Sequence, residues 1–148
     1  MQLAVDAAPA VILFDRKLKD RIEAQAYGML TEPERTAVER SLPEEIRWLA
    51  VYPEVKWRSA PDMFWRRFAV LTARKEHAPA WIDDRFVDLL LGLPLGAAPT
   101  PLMLAVERGQ CTLRTQLTPG DRWHLDTLDA ILAHACDRAA RTFPRART

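Results

Sequence analysis

The chain has 148 residues, 49% of them hydrophobic and 28% charged, with a formal net charge of +1. A domain of that size buries about two thirds of its unfolded surface, and the near-neutral balance argues against a general polyanion binder. The hydrophobic content argues against intrinsic disorder, and the two cysteines are too few for a disulfide framework or a zinc ribbon.

Eleven prolines stand beside five glycines, two serines and no asparagine, so proline supplies much of the punctuation. The 17 arginines against 4 lysines, with asparagine absent, fit the codon usage of a GC-rich bacterium, so the arginine excess alone is no sign of nucleic-acid binding. Residues 1–10 contain no Lys or Arg and lack the charged and apolar regions of a signal peptide. Together with a reduced thiol pair at Cys111 and Cys136, this predicts a cytoplasmic protein. The uncharged run Leu89–Val106 is long enough to span a membrane. Gly92, Pro94, Gly96, Pro99 and Pro101 interrupt it, so no span is expected.

Pro9 precedes a helical pattern in which Val11, Phe14, Leu18, Ile22, Ala26 and Met29 share one face, with Gly28 near its end. Three segments then read [ST]-x-P-[DE]: Thr31–Glu34, Ser41–Glu44 and Ser59–Asp62. The hydroxyl can cap the helix, proline suits its first turn, and the acid can reach back to the cap amide. This predicts helices over about 32–41, 42–51 and 60–75, the last centred on Phe64, Phe68 and Leu71. Between the second and third, Val51–Arg58 is expected to be extended, because Pro53 disfavours helix at Tyr52.

Pro79 opens a further predicted helix over about 79–91, apolar on nearly every side and ended by Gly92. Residues 92–101 form an apolar loop. Leu102–Val106 and Cys111–Leu117 then read as a hairpin across Glu107–Gln110, because Cys111, Leu113, Thr115 and Leu117 alternate with Thr112, Arg114 and Gln116. The competing reading is a short helix capped at Thr100 and ending at Gly109. The last helix begins after Thr118-Pro119-Gly120-Asp121 and runs to about Phe143. Leu125, Leu128, Ile131, Leu132, Ala135, Ala139 and Phe143 form its main stripe. The expected fold is therefore mainly α: a single compact domain of about six helices over residues 1–143, with a small β-hairpin near 102–117 if the alternation holds. A short basic tail, 144–148, follows.

The chain has no phosphate loop, GxGxxG, HExxH or CxxC pattern, and both serines sit at predicted helix caps. His124 falls within the stripe of the last helix, one turn after Asp121; His134 lies on another side, and His77 stands beside Glu76. On a helix, positions 124 and 134 are about 80° and 15 Å apart. Asp121, His124, His134 and Cys136 therefore cannot converge, and no metal or cofactor is expected. The adjacent acids Glu44-Glu45 and Asp83-Asp84 read as solvated helix ends.

Lys56-Trp57-Arg58 and Phe64-Trp65-Arg66-Arg67-Phe68 interleave rings with cations, as single-stranded nucleic-acid platforms do. Helical geometry places Trp65, Arg66 and Arg67 at about 100°, 200° and 300° from Phe64. They form no compact patch, so nucleic-acid binding through Lys56, Trp57, Arg58, Arg66 and Arg67 is an alternative only.

The favoured reading is a non-enzymatic interaction module, such as an adaptor, assembly factor, small chaperone or immunity-type binder. It would present an apolar-aromatic surface to a protein partner or a second copy. The expected surface comprises Leu93 and Leu95 in the loop, with Trp123, Ala130, His134 and Arg141 on the last helix, away from its main stripe. A further alternative is a small enzyme with a pocket around His124 or His77 and a perturbed carboxylate nearby.

Overall fold

The computed structural model describes residues 9–26, 48–49, 51–93, 102–115 and 122–144. The helix predictions over 32–41 and most of 42–51 lie outside these residues, as does nearly all of the 92–101 loop. In chain order the elements are β1 (Val11–Asp15), α1 (Arg16–Ala26), β2 (Glu54–Val55), α2 (Asp62–Arg67) and β3 (Phe68–Thr72). They continue with α3 (His77–Trp81), α4 (Asp84–Leu91), β4 (Met103–Glu107), β5 (Gln110–Arg114) and α5 (Arg122–Thr142). The strands form one five-stranded antiparallel sheet in the order β2-β3-β1-β4-β5.

This corrects the mainly-α, all-helical-bundle expectation: among the described residues five helices pack around a sheet. The reason lies in the central strands. β1 (VILFD), β3 (FAVLT) and β4 (MLAVE) are covered on both faces, so their apolar residues run on without alternation. Such a run has no period that separates a buried strand from a buried helix. Val11, Leu13, Phe68, Val70, Leu104 and Val106 face a core built with α2–α5. Ile12, Phe14, Leu71, Met103 and Ala105 face the other way, under Leu18 of α1 and Trp48.

The predicted helix from Pro9 is thus a strand followed directly by α1, with Asp15 Oδ1 accepting the Lys17 amide at 2.9 Å. The predicted 60–75 helix is likewise two elements, since α2 ends at Arg67 and Phe68 is already extended (φ −130°, ψ 152°). No turn residue separates either pair. The expected Ser59 cap does not form either; Pro61 occupies the cap position without a side-chain bond. The predicted 79–91 helix breaks at Ile82, after which Asp83 caps α4 by accepting the Phe86 amide at 2.9 Å.

Two arginines replace the missing terminal caps. Arg16 donates from Nε to the Trp65 carbonyl (2.7 Å) and from Nη2 to that of Phe68 (2.9 Å), satisfying the end of α2. Arg67 donates to the carbonyls of Leu91 (3.0 Å) and Leu93 (3.1 Å) at the end of α4. Trp81 Nε1 donates to the Ala135 carbonyl at 3.0 Å, stitching α3 to α5. Among the described residues no helix is long and apolar enough to cross a membrane.

β4 and β5 pair across Glu107–Gln110, as the alternation predicted, although within a larger sheet. Arg108 (φ 52°) and Gly109 (φ 75°) form the two-residue turn, both left-handed. Arginine is strained there, whereas Asn-Gly is the favoured pair for this turn. Arg108→Asn should therefore stabilise the protein by about 0.5–1 kcal/mol. Its ion pair with Glu107 is long at 3.7 Å, with the Arg108 side chain largely exposed, and contributes little. Chemical denaturation measures the difference.

Candidate functional site

β5 lies at the edge of the sheet, with β4 on one side. Among the described residues no strand pairs with its other side. In a two-residue hairpin the residues flanking the turn exchange both ladder bonds, here Glu107 and Gln110. Alternation then turns the main-chain N–H and C=O groups of Cys111 and Leu113 outward, to the free edge. The side chains of those same residues point toward the α5 side of the sheet and join its core.

Leu125, Leu128, Asp129 and Leu132 share one face of α5 at i, i+3, i+4 and i+7. With Leu113, Arg114 and Thr115 they line an open groove of about 390 Å³. Leu128 is buried, Leu132 half-buried, and Leu125 is 43% exposed. The groove is thus an apolar trough running beside main-chain groups that no described strand pairs. Leu125 and Leu132 belonged to the predicted core stripe. Nothing in the helical spacing signals that this end of the stripe is left uncovered among the described residues.

The residues expected to form the contact surface scatter. Leu93 is buried and its carbonyl is held by Arg67. Leu95 and the side chains of Trp123 and His124 lie outside the described residues. Ala130 is exposed, and Arg141 pairs with Asp137 at 3.2 Å on the exposed face of α5. His134 is not presented at all: its side chain is 17% exposed and Nε2 lies 2.8 Å from Asp83 Oδ1. Phe86 stands edge-on to its ring at 5.7 Å.

Asp83 therefore serves two elements, capping α4 and holding α5 through His134 and Arg138 (3.5 Å). Burial works to raise its pKa, but the bonds from His134 and the Phe86 amide and the charge of Arg138 prevail and hold it below the usual carboxylate range. An acid held low in the folded state stabilises above its unfolded pKa, and that contribution disappears as pH falls through the folded value. Asp83→Asn keeps a good cap but removes the charge. It should cost about 0.5–1 kcal/mol at pH 7 and progressively less as the pH falls through the folded-state value of Asp83. Thermal melts of both proteins across that range check the convergence.

The nucleic-acid set is divided too. Lys56, Arg58 and Arg66 are exposed, but Arg67 turns inward onto α4 and over the Phe68 ring. Trp57 packs edge-on against Trp65 at 4.8 Å, and forms a shallow recess with Lys56, Lys75, Glu76 and Pro79. His77 packs edge-on to Phe143 at 5.2 Å, while the perturbed carboxylate Asp83 pairs with His134 instead. Among the described residues no three His, Cys, Asp or Glu side chains converge as a metal ion would require. Comparisons with protein-family models, curated proteins and solved structures found no match.

Proposed function

We propose that the chain is a non-enzymatic protein-binding module that takes an extended segment of its partner along β5. The observation that carries this reading is the coincidence of a strand edge left unpaired among the described residues with an apolar trough. Backbone groups at Cys111 and Leu113 can bond an added strand, and alternate side chains of that strand would enter the trough beside Leu125 and Leu132. Recognition of this kind draws affinity from the main chain and specificity from the pockets. The surface proposed here uses the opposite side of α5 from Ala130 and Arg141.

Selection from a library of random peptides tests the proposal. Enriched peptides should protect the Cys111 and Leu113 amides from exchange on binding. Leu125→Asp places a charge in the trough and should weaken them at least about tenfold, or 1.4 kcal/mol. Leu125 is partly exposed, so the variant should keep its fold. Failure to enrich any peptide, or peptides indifferent to Leu125→Asp, overturns the reading. Protection appearing with protein concentration alone would make a second copy the occupant.

A further inference from the structure

β5 has two faces, and a recess borders each of them. Toward α5 stand Cys111 and Leu113, beside the apolar trough. Asp129 also lines that trough, so a further carboxylate is repelled from this side. On the opposite face the ladder sets Gln110 across from Glu107, Thr112 from Ala105 and Arg114 from Met103. These side chains, with Arg108 of the turn and Trp48, line a separate recess of about 150 Å³. Its charged lining residues are two arginines and one carboxylate, Glu107, which pairs with Arg108 at 3.7 Å.

Arg108 holds a left-handed backbone (φ 52°) that costs a non-glycine residue free energy. Its side chain is 74% exposed, and the long ion pair does not repay that cost. A guanidinium placed for a partner accounts for a residue that the turn itself disfavours. Arg114 is exposed at the other end of β5. Five donors let a guanidinium serve a partner as well as a group of its own chain.

A strand added along β5 sends alternate side chains to opposite faces. Residues beside Cys111 and Leu113 would enter the trough, and those beside Gln110, Thr112 and Arg114 would lie on the arginine side. Opposite charges on neighbouring strands stabilise the pairing, and like charges weaken it.

We propose that the segment bound along β5 is acidic and alternating, with apolar residues toward α5 and carboxylates toward Arg108 and Arg114. The inference rests on the reading of β5 as a docking edge and adds the chemistry of its occupant. Over the five residues of β5 the pattern is acid, apolar, polar, apolar, acid. The central polar residue lies beside Thr112. One acid lies beside Arg114, and the other beside Gln110, next to the turn that carries Arg108. A second copy of β5 would instead bring its own Arg108 and Arg114 to this cationic face.

The test measures binding of labelled peptides to the full chain by fluorescence anisotropy at low salt. The peptides share leucine at both apolar positions and threonine at the centre, and carry Glu, Gln or Lys at the two ends. The Glu peptide should bind about tenfold tighter than the Lys peptide, with the Gln peptide between. Added salt should narrow the gap. Arg114→Glu, a change at an exposed position, should reverse the order. Arg108→Asn should weaken the Glu peptide about threefold while raising stability, so that loss cannot come from unfolding. Equal affinities, with the Cys111 and Leu113 amides protected, would overturn the acidic assignment and leave the docking edge standing. Preference of the unaltered protein for the Lys peptide would do the same. Binding of none of the peptides would overturn both readings.

Discussion

Trp81→Ala should lower stability by about 3–5 kcal/mol and the melting temperature by about 10 °C or more. Trp81 is 0% exposed and is the largest fully buried side chain among the described residues. It lies where α3, α4 and α5 meet: its ring stands edge-on to Phe86 at 5.1 Å, and its indole donates to the Ala135 carbonyl. Truncation removes the apolar contact, leaves a cavity among elements that cannot collapse together, and deletes the cross-link between α3 and α5. Trp81→Phe separates these effects, because it keeps a ring and removes the donor. It should cost about 1–2 kcal/mol, since Ala135 retains its own helical position. Equilibrium denaturation of the two variants measures both values. Loss of less than about 1 kcal/mol in Trp81→Ala would mean that α3 does not dock there.

Leu13→Ala should cost about 3–5 kcal/mol as well, and it discriminates between strand and helix at the N-terminus. On a helical wheel Leu13 lies about 200° from Val11, away from the stripe of Val11, Phe14 and Leu18, where truncation would be mild. In the sheet it pairs with Val70 on one side and Leu104 on the other, and is 0% exposed beneath the helices. Its neighbours are held by two ladders, so the space it leaves persists as a void. Leu125→Ala, at 43% exposure, should cost less than about 1 kcal/mol by comparison. Similar costs at the two positions would contradict the register.

The candidate site was partly legible in the sequence. The alternation through Cys111, Leu113 and Arg114 pointed to a half-buried strand, and Glu107–Gln110 to a tight turn, because period two and a left-handed glycine are local properties. What alternation does not say is whether the strand's far side is paired. The edge position of β5 follows from the sheet order, which joins β1 to β3 and β4 across distant stretches of chain. His134 shows the same limit from the other side. Its helical position suggested an outward face, yet its ring is taken by Asp83 on an element 51 residues away.

The stripe of α5, the hairpin turn, the extended stretch near Val55 and the apolar character of residues 79–91 were determined by the sequence itself, through spacing that a single element imposes on its own residues. The identity of VILFD and FAVLT as strands was decided only by tertiary structure. A strand covered on both faces and a helix buried in a core both need unbroken apolar residues, and neither run is set off from the next helix by a turn-forming residue. The meeting of Asp83 with His134 was decided there too, as was the packing of Cys111 and Leu113 into the core beside α5. Those contacts exist because the packed sheet holds β5 and α4 against α5, and no local periodicity encodes that distance.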